Sequence, residues 1–182
     1  MNAIAALSPY ASVIGKSNTE RHTLSVLVDN EPGVLARVVG LFSGRGYNIE
    51  SLTVAEVAHG EHLSRITIVT AGTPEVIEQI THQLERIVPI HRVTDLSIQD
   101  RVIERELAMI KVQGTGEHRS EALRLSEAFR AKVIDATIES FIFELTGSPG
   151  KIDDFVELMR PIGLVEVSRT GVAAITRGAK GM

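Results

Sequence analysis

Between residues 23 and 28 apolar and polar side chains alternate, with Leu24, Val26 and Val28 on one side and Thr23, Ser25 and Leu27 on the other. A period of two predicts a strand buried on one face. After "DNEPG" the period lengthens: Val34, Leu35, Val38, Leu41 and Phe42 recur at helical spacing while Arg37, Ser43 and Arg45 fall off the stripe. This helix is predicted to begin near Pro32 and to stop at Gly44 or Gly46. "YNIESLTVAEVA" and "HLSRITIVTAG" then read as two extended runs parted at "HGEH", where Gly60 suits a hairpin turn. A second helix follows from about Pro74, with Val76, Ile77, Ile80, Leu84 and Ile87 on one face and Thr73 as its N-cap, and "IHRVTDLSI" closes the unit as a strand.

The order βαββαβ then recurs. "RELAMIKVQG" reads as strand, "EHRSEALRLSEAFRA" as helix, "KVIDATIE" and "SFIFELTG" as strands, "SPGKIDDFVELMRPIG" as helix and "LVEVSRTGVAAITRG" as a last strand. In the second of these helices Ile152, Phe155, Val156 and Met159 form the stripe, Ser148 is the cap and Pro149 suits the first turn. Each half fits a ferredoxin-like unit of the α+β class, four antiparallel strands with two helices on one face. The expected division is a loose tail over 1–21, a first domain over 22–98 and a second over 104–178, with the charged stretch "IQDRVIERE" at the boundary. Val, Ile and Leu occur on both sides of several strands, which predicts that the open sheet faces are covered by self-association or a partner protein.

Composition narrows the function classes. A hydrophobic fraction of 43% with mean hydropathy +0.11 supports packed cores, and 23% charged residues supply a wet surface, so disorder is disfavoured. The net charge is −4 with no block of like charge, which argues against a nucleic-acid partner held by phosphate neutralisation. There is no cysteine, which removes disulfides, thiolate catalysis and sulfur-ligated zinc. The first residues lack the basic start and sustained apolar core of a secretion signal, and no later run approaches the roughly 18 apolar residues of a membrane span, so a cytoplasmic chain without membrane contact is expected.

The turn at "DNEPG" carries the candidate chemistry. A helix starting beside Pro32 leaves amide hydrogens without internal partners and a partial positive charge, which welcomes a carboxylate. Gly33 removes the side chain that would hold a small anion off the backbone. Asn30 can donate and accept at the same place, and Asn48, after "RGY", offers a second amide. No lysine accompanies them, so a free amino acid suits them better than a phosphate. The same residues also suit a plain strand-to-helix turn, and both readings stay open on this ground alone.

"DNEPGVLARVVGLFSGRGYNIESLTV" resembles the amino-terminal ACT domain of the small, regulatory subunit of acetohydroxyacid (acetolactate) synthase. The likeness continues through "LSRITIVT", "RVTDLS", "RELAMIKV" and "LVEVSRTGVAAITRG" and spans residues 22 to 178, less sharply through "GTGEHRSEALRLSEAFRA". It implies two ACT-like domains in tandem and a homodimer formed through ACT domains. A branched-chain amino acid, typically valine, would lie at their junction, with Asn30, Gly33, Val34 and Leu35 of one chain facing Asn48 and Ile49 of the other. It also implies a non-catalytic subunit that activates a larger catalytic subunit and confers feedback inhibition. This chain would hold no cofactor, whereas the catalytic partner would use thiamine diphosphate, magnesium and FAD.

Other motifs compete weakly. Glu56, His59, Glu61 and His62 could surround a metal, but a polar hairpin tip explains them as well, and no metal site is expected. "GTGEHR" has Arg119 where a dinucleotide fingerprint needs its third glycine, and "GSPGK" has the wrong spacing for a phosphate loop. No catalytic residue is assigned. A ferredoxin-like acyl phosphatase would need an arginine in the loop that here reads "DNEPG", and an RNA-binding sheet would need exposed aromatics, against an aromatic fraction of 4%. Phe141 and Phe143 share a face that suits core packing. An amino-acid-sensing ACT protein acting on a different enzyme is the remaining alternative.

Overall fold

The computed structural model describes residues 19–58, 60–98, 102–179 and 181. Its elements run β1 (Glu20–Asp29), α1 (Val34–Arg45), β2 (Ser51–Ala58), β3 (Leu63–Gly72), α2 (Pro74–Glu85) and β4 (Ile90–Asp95) in the first unit. The second unit comprises β5 (Val102–Gln113), α3 (Gly116–Phe129), β6 (Lys132–Ala136), β7 (Ser140–Gly147), α4 (Pro149–Gly163), β8 (Leu164–Arg169) and β9 (Ala173–Thr176). The sheets are antiparallel with strand orders β2-β3-β1-β4 and β6-β7-β5-β8, and β9 adds to β5 off that path. These are the two ferredoxin-like units that the periodicity predicts.

Each core is the meeting of a period-two face with helical stripes. Leu24, Val26 and Val28 of β1 pack with Ile66 and Ile68 of β3 against Val38 and Phe42 of α1 and Ile77, Ile80 and Leu84 of α2. In the second unit Ile110, Phe143 and Leu145 pack on Ile152, Phe155 and Met159 of α4, with the Phe143 and Phe155 rings edge-on at 6.0 Å between centroids. Burial of such side chains stabilises by about 1.5–3 kcal/mol each. Phe141, on the same face of β7, is buried under the Arg119 guanidinium, 3.9 Å from its ring centre.

Several expectations change. Thr23 and Ser25 are fully buried, so β1 is covered on both faces rather than one. The cover comes from the second unit: Val69 and Leu96 on the outer face of the first sheet bury Val172 and Ala174, with Val102 packed beside them. The boundary stretch is therefore strand from Val102 onward, because β9 pairs with Val102–Arg105. The last predicted strand is two, β8 and β9, broken where Gly171 takes φ 85. Helix α1 starts at Val34, with Gly33 in a left-handed conformation before it, and ends at a left-handed Gly46. Leu35, placed on the apolar stripe by spacing, is exposed. Ser148 caps α4 by accepting from the Lys151 amide at 3.4 Å, whereas the Thr73 hydroxyl makes no such bond to α2. Of the predicted tail, Glu20 and Arg21 belong to β1 and residues 1–18 lie outside those described.

Candidate functional site

Strand β1 ends where Asp29 faces Leu63, and the chain then turns into α1. The Asn30 amide donates to the His62 carbonyl at 2.6 Å and the Glu31 amide to Asp29 at 2.9 Å, which fixes the turn against the β2–β3 hairpin. Gly33 has φ 88 and ψ −9, a conformation costly for residues with a Cβ, so the backbone favours glycine here. A Cβ at Gly33 would meet nothing within 4 Å, so the space above the turn is open as well. The first helical bond runs from the Arg37 amide to the Gly33 carbonyl at 3.1 Å, and the Val34 amide donates to the Glu31 carbonyl at 3.5 Å, so the amides without a helical partner are those that follow in the first turn. Val34 is buried beneath, while Asn30 and Leu35 are exposed.

Asn48 and Ile49 lie elsewhere. The Asn48 carbonyl accepts from the Thr70 hydroxyl at 2.7 Å, and Thr70 faces His22 on β1. His22 is seven residues before Asp29 on that strand, so at about 3.3 Å per residue the two halves of the expected site are roughly 23 Å apart within one chain. Ile49 is half-buried against the first core, and the Asn48 side chain is exposed. Asn30, Gly33, Val34 and Leu35 are thus together, and Asn48 with Ile49 forms a second group at the opposite end of the sheet.

Periodicity did not reveal the contacts between the units. Glu104 accepts from the Thr23 hydroxyl at 2.5 Å and from Arg21 at 3.0 Å. A cavity of about 480 Å³ lies at this junction, lined by Arg21, Glu50, Glu106, Asp153 and Arg169 among others. Burial of Arg169 disfavours its charge, but hydrogen bonds to Glu106 and Asp153 outweigh that and hold the guanidinium above its ordinary pKa. Its ion pairs are therefore internally matched. The alternating charges of "VIERELA" were the available signal for this joint.

No group of three or more His, Asp or Glu side chains is set to hold a metal among the described residues; His59 lies outside them. Nor is any helix among them long and apolar enough to cross a membrane.

Residues 24–92 match the model of the "AHAS small subunit-like ACT domain", and residues 105–178 match that of the "small subunit of acetolactate synthase". The acetolactate synthase isozyme 3 small subunit of Escherichia coli (strain K12) is 47% identical over 161 residues, covering 88% of this chain and 98% of that protein. The acetolactate synthase small subunit of Aquifex aeolicus is 42% identical over 175 residues, 96% of this chain and 90% of the relative. The chain belongs to the acetolactate synthase small-subunit family. The crystal structure of the acetolactate synthase small subunit from Thermotoga maritima superposes with a TM-score of 0.78 at 38% identity, covering 88% of this chain and 99% of that one. Acetolactate synthase small subunits are regulatory, and catalysis is carried by the large subunit with which they associate.

Proposed function

We propose that this chain activates the catalytic large subunit of acetolactate synthase and confers feedback inhibition by valine or another branched-chain amino acid, bound between the ACT domains of two copies. Residues 22–98 form the sensing domain in this reading and 104–178 the second domain. The observation that carries it is the separation of roughly 23 Å between the Gly33 turn and Asn48, which no ligand of valine's size spans. Strand β2 lies at an edge of its sheet, with Val54 and Val57 exposed. It runs parallel to β1, since both are antiparallel to β3. If two β2 edges pair antiparallel, the start of one lies beside the end of the other. Asn48 and Ile49 of one chain then reach the same end of the joined sheet as Asn30, Gly33, Val34 and Leu35 of its partner.

The chemistry fits a zwitterion with a branched tail. Amides at the start of α1 receive the carboxylate, the asparagine side chains offer carbonyl oxygens to the ammonium, and Val34, Leu35 and Ile49 surround the aliphatic group. Enclosure by two chains matters because a molecule this small gains at most about 1.5 kcal/mol per non-hydrogen atom. The ligand restrains catalysis by binding one arrangement of the pair better than the active one, a coupling of about 1–3 kcal/mol. Thiamine diphosphate, magnesium and FAD belong to the large subunit in this account, and the assembly works in the cytoplasm. Reconstituting the large subunit with and without this chain, each with and without valine, tests it. Activation that valine reverses supports the reading, and activity indifferent to both additions contradicts it.

A further inference from the structure

The ribbon of β5 and β9 covers only part of the first sheet's outer face. Beyond it Arg92, Leu27, Arg65 and Ala55 stand in one row across four strands. A groove of about 360 Å³ opens beside this row, lined by Thr53, Val57, Arg65, Ile103, Arg105 and Ile175 among others, with two arginines and no carboxylate in its lining. The Nε of Arg65 is buried with no hydrogen-bond partner. Among the described residues Arg65, Arg92 and Arg105 form no ion pair, although the whole chain carries a net charge of −4.

A half-buried guanidinium with an unmatched N–H is costly unless an acceptor arrives from outside. With two arginines and no carboxylate in the lining, an acceptor of negative charge suits this N–H best, and the rest of the lining offers apolar contact. A small aliphatic carboxylate would leave most of the groove wet, because Val57 and Ile175 at its rim are 49% and 57% exposed. A protein segment covers such a rim, and arginine set among aliphatic side chains is the composition of interface centres. The catalytic large subunit is the macromolecule with which this family associates.

We propose that this groove docks the large subunit through a carboxylate of that protein, seated on Arg65 and Arg105, with apolar side chains beside it covering Val57, Ile103 and Ile175. The proposal rests on the regulatory reading above but uses a face separate from the Gly33 turn. The acceptor completes the hydrogen bonding of Arg65, so docking is specific as well as steered by charge.

The test measures affinity of the full chain for the purified large subunit by isothermal titration, for the wild type, R65E and R105E, at two salt concentrations. Valine binding to the small subunit alone is measured in parallel. Arg105 is exposed, so R105E retains the fold whatever R65E does. Each charge reversal is expected to weaken association at least about tenfold and to flatten its salt dependence, with valine binding unchanged. Wild-type affinity in both variants overturns the assignment of this groove and leaves the regulatory reading standing. Failure of the wild-type chain to bind the large subunit overturns both. Binding of 3-methylbutanoate that disappears in R65E, with large-subunit affinity intact, would make the groove a small-molecule site and overturn docking.

Discussion

The Thr53 hydroxyl donates to the Val172 carbonyl at 2.6 Å, across 119 residues of chain. The Val172 amide donates in turn to the Ser51 hydroxyl at 3.0 Å, so both backbone polar groups of this residue are held by β2. The strand proposed to pair with a second copy is therefore braced by the C-terminal unit. Thr53→Val should cost about 0.5–1.5 kcal/mol, read as a lower urea midpoint at unchanged slope. An unchanged midpoint would mean that this bond does not help to join the units.

Two glycines with left-handed backbones should respond differently to alanine. At Gly171 (φ 85) a Cβ would sit 2.7 Å from the Ser51 hydroxyl oxygen and 3.0 Å from the Thr53 methyl, so the junction must shift as well as strain. At Gly33 (φ 88) nothing lies within 4 Å, leaving the backbone cost of about 1–2 kcal/mol. G171A should therefore lower the thermal midpoint more than G33A. Equal losses would contradict the close approach at Gly171.

The Glu166 carboxyl, hydrogen-bonded to Lys111 Nζ at 2.6 Å, is held below the usual carboxylate range by that bond and by the neighbouring charge. A depressed folded-state pKa gives a contribution that is present above the ordinary carboxylate pKa and fades as pH falls through the lowered one. Carboxyl titration by NMR should show Glu166 moving up toward its ordinary value in K111M. An unmoved titration would remove Lys111 as the cause.

Most of this fold is legible in the sequence because periodicity is local. Leu24, Val26 and Val28 announce a strand face, and Ile77, Ile80 and Leu84 announce a helix face, whatever lies elsewhere in the chain. The burial of Thr23 and Ser25 was not legible, because the segments that cover this face, with Val172, Ala174 and the Glu104 carboxylate, are far away in sequence. The break between β8 and β9 escaped because a lone Gly171 inside an apolar run resembles a tolerated glycine. At the site, "NEPG" marks the turn by its own chemistry, whereas Asn48 offers only an amide after "RGY", and its place opposite the turn of a second chain came from the family resemblance. Arg65 escaped notice because one charge in a strand reads as its wet face until the packing around it is known.

Gly33→Asp places a carboxylate over the amides meant for the ligand's own. It should abolish inhibition by valine while activation of the large subunit largely survives, and Asn48→Ala should weaken valine binding less severely. Normal valine sensitivity in the Gly33→Asp holoenzyme would show that the pocket is elsewhere.

Mixing those two variants gives the most direct test of a site built from two chains. In a two-fold pair of one G33D chain and one N48A chain, one site carries both lesions and the other carries neither. Titrating valine into an equilibrated equimolar mixture should restore wild-type affinity at about one quarter of all sites, half the pairs being mixed with one sound site each. A mixture no better than its separate components would contradict a site shared between chains.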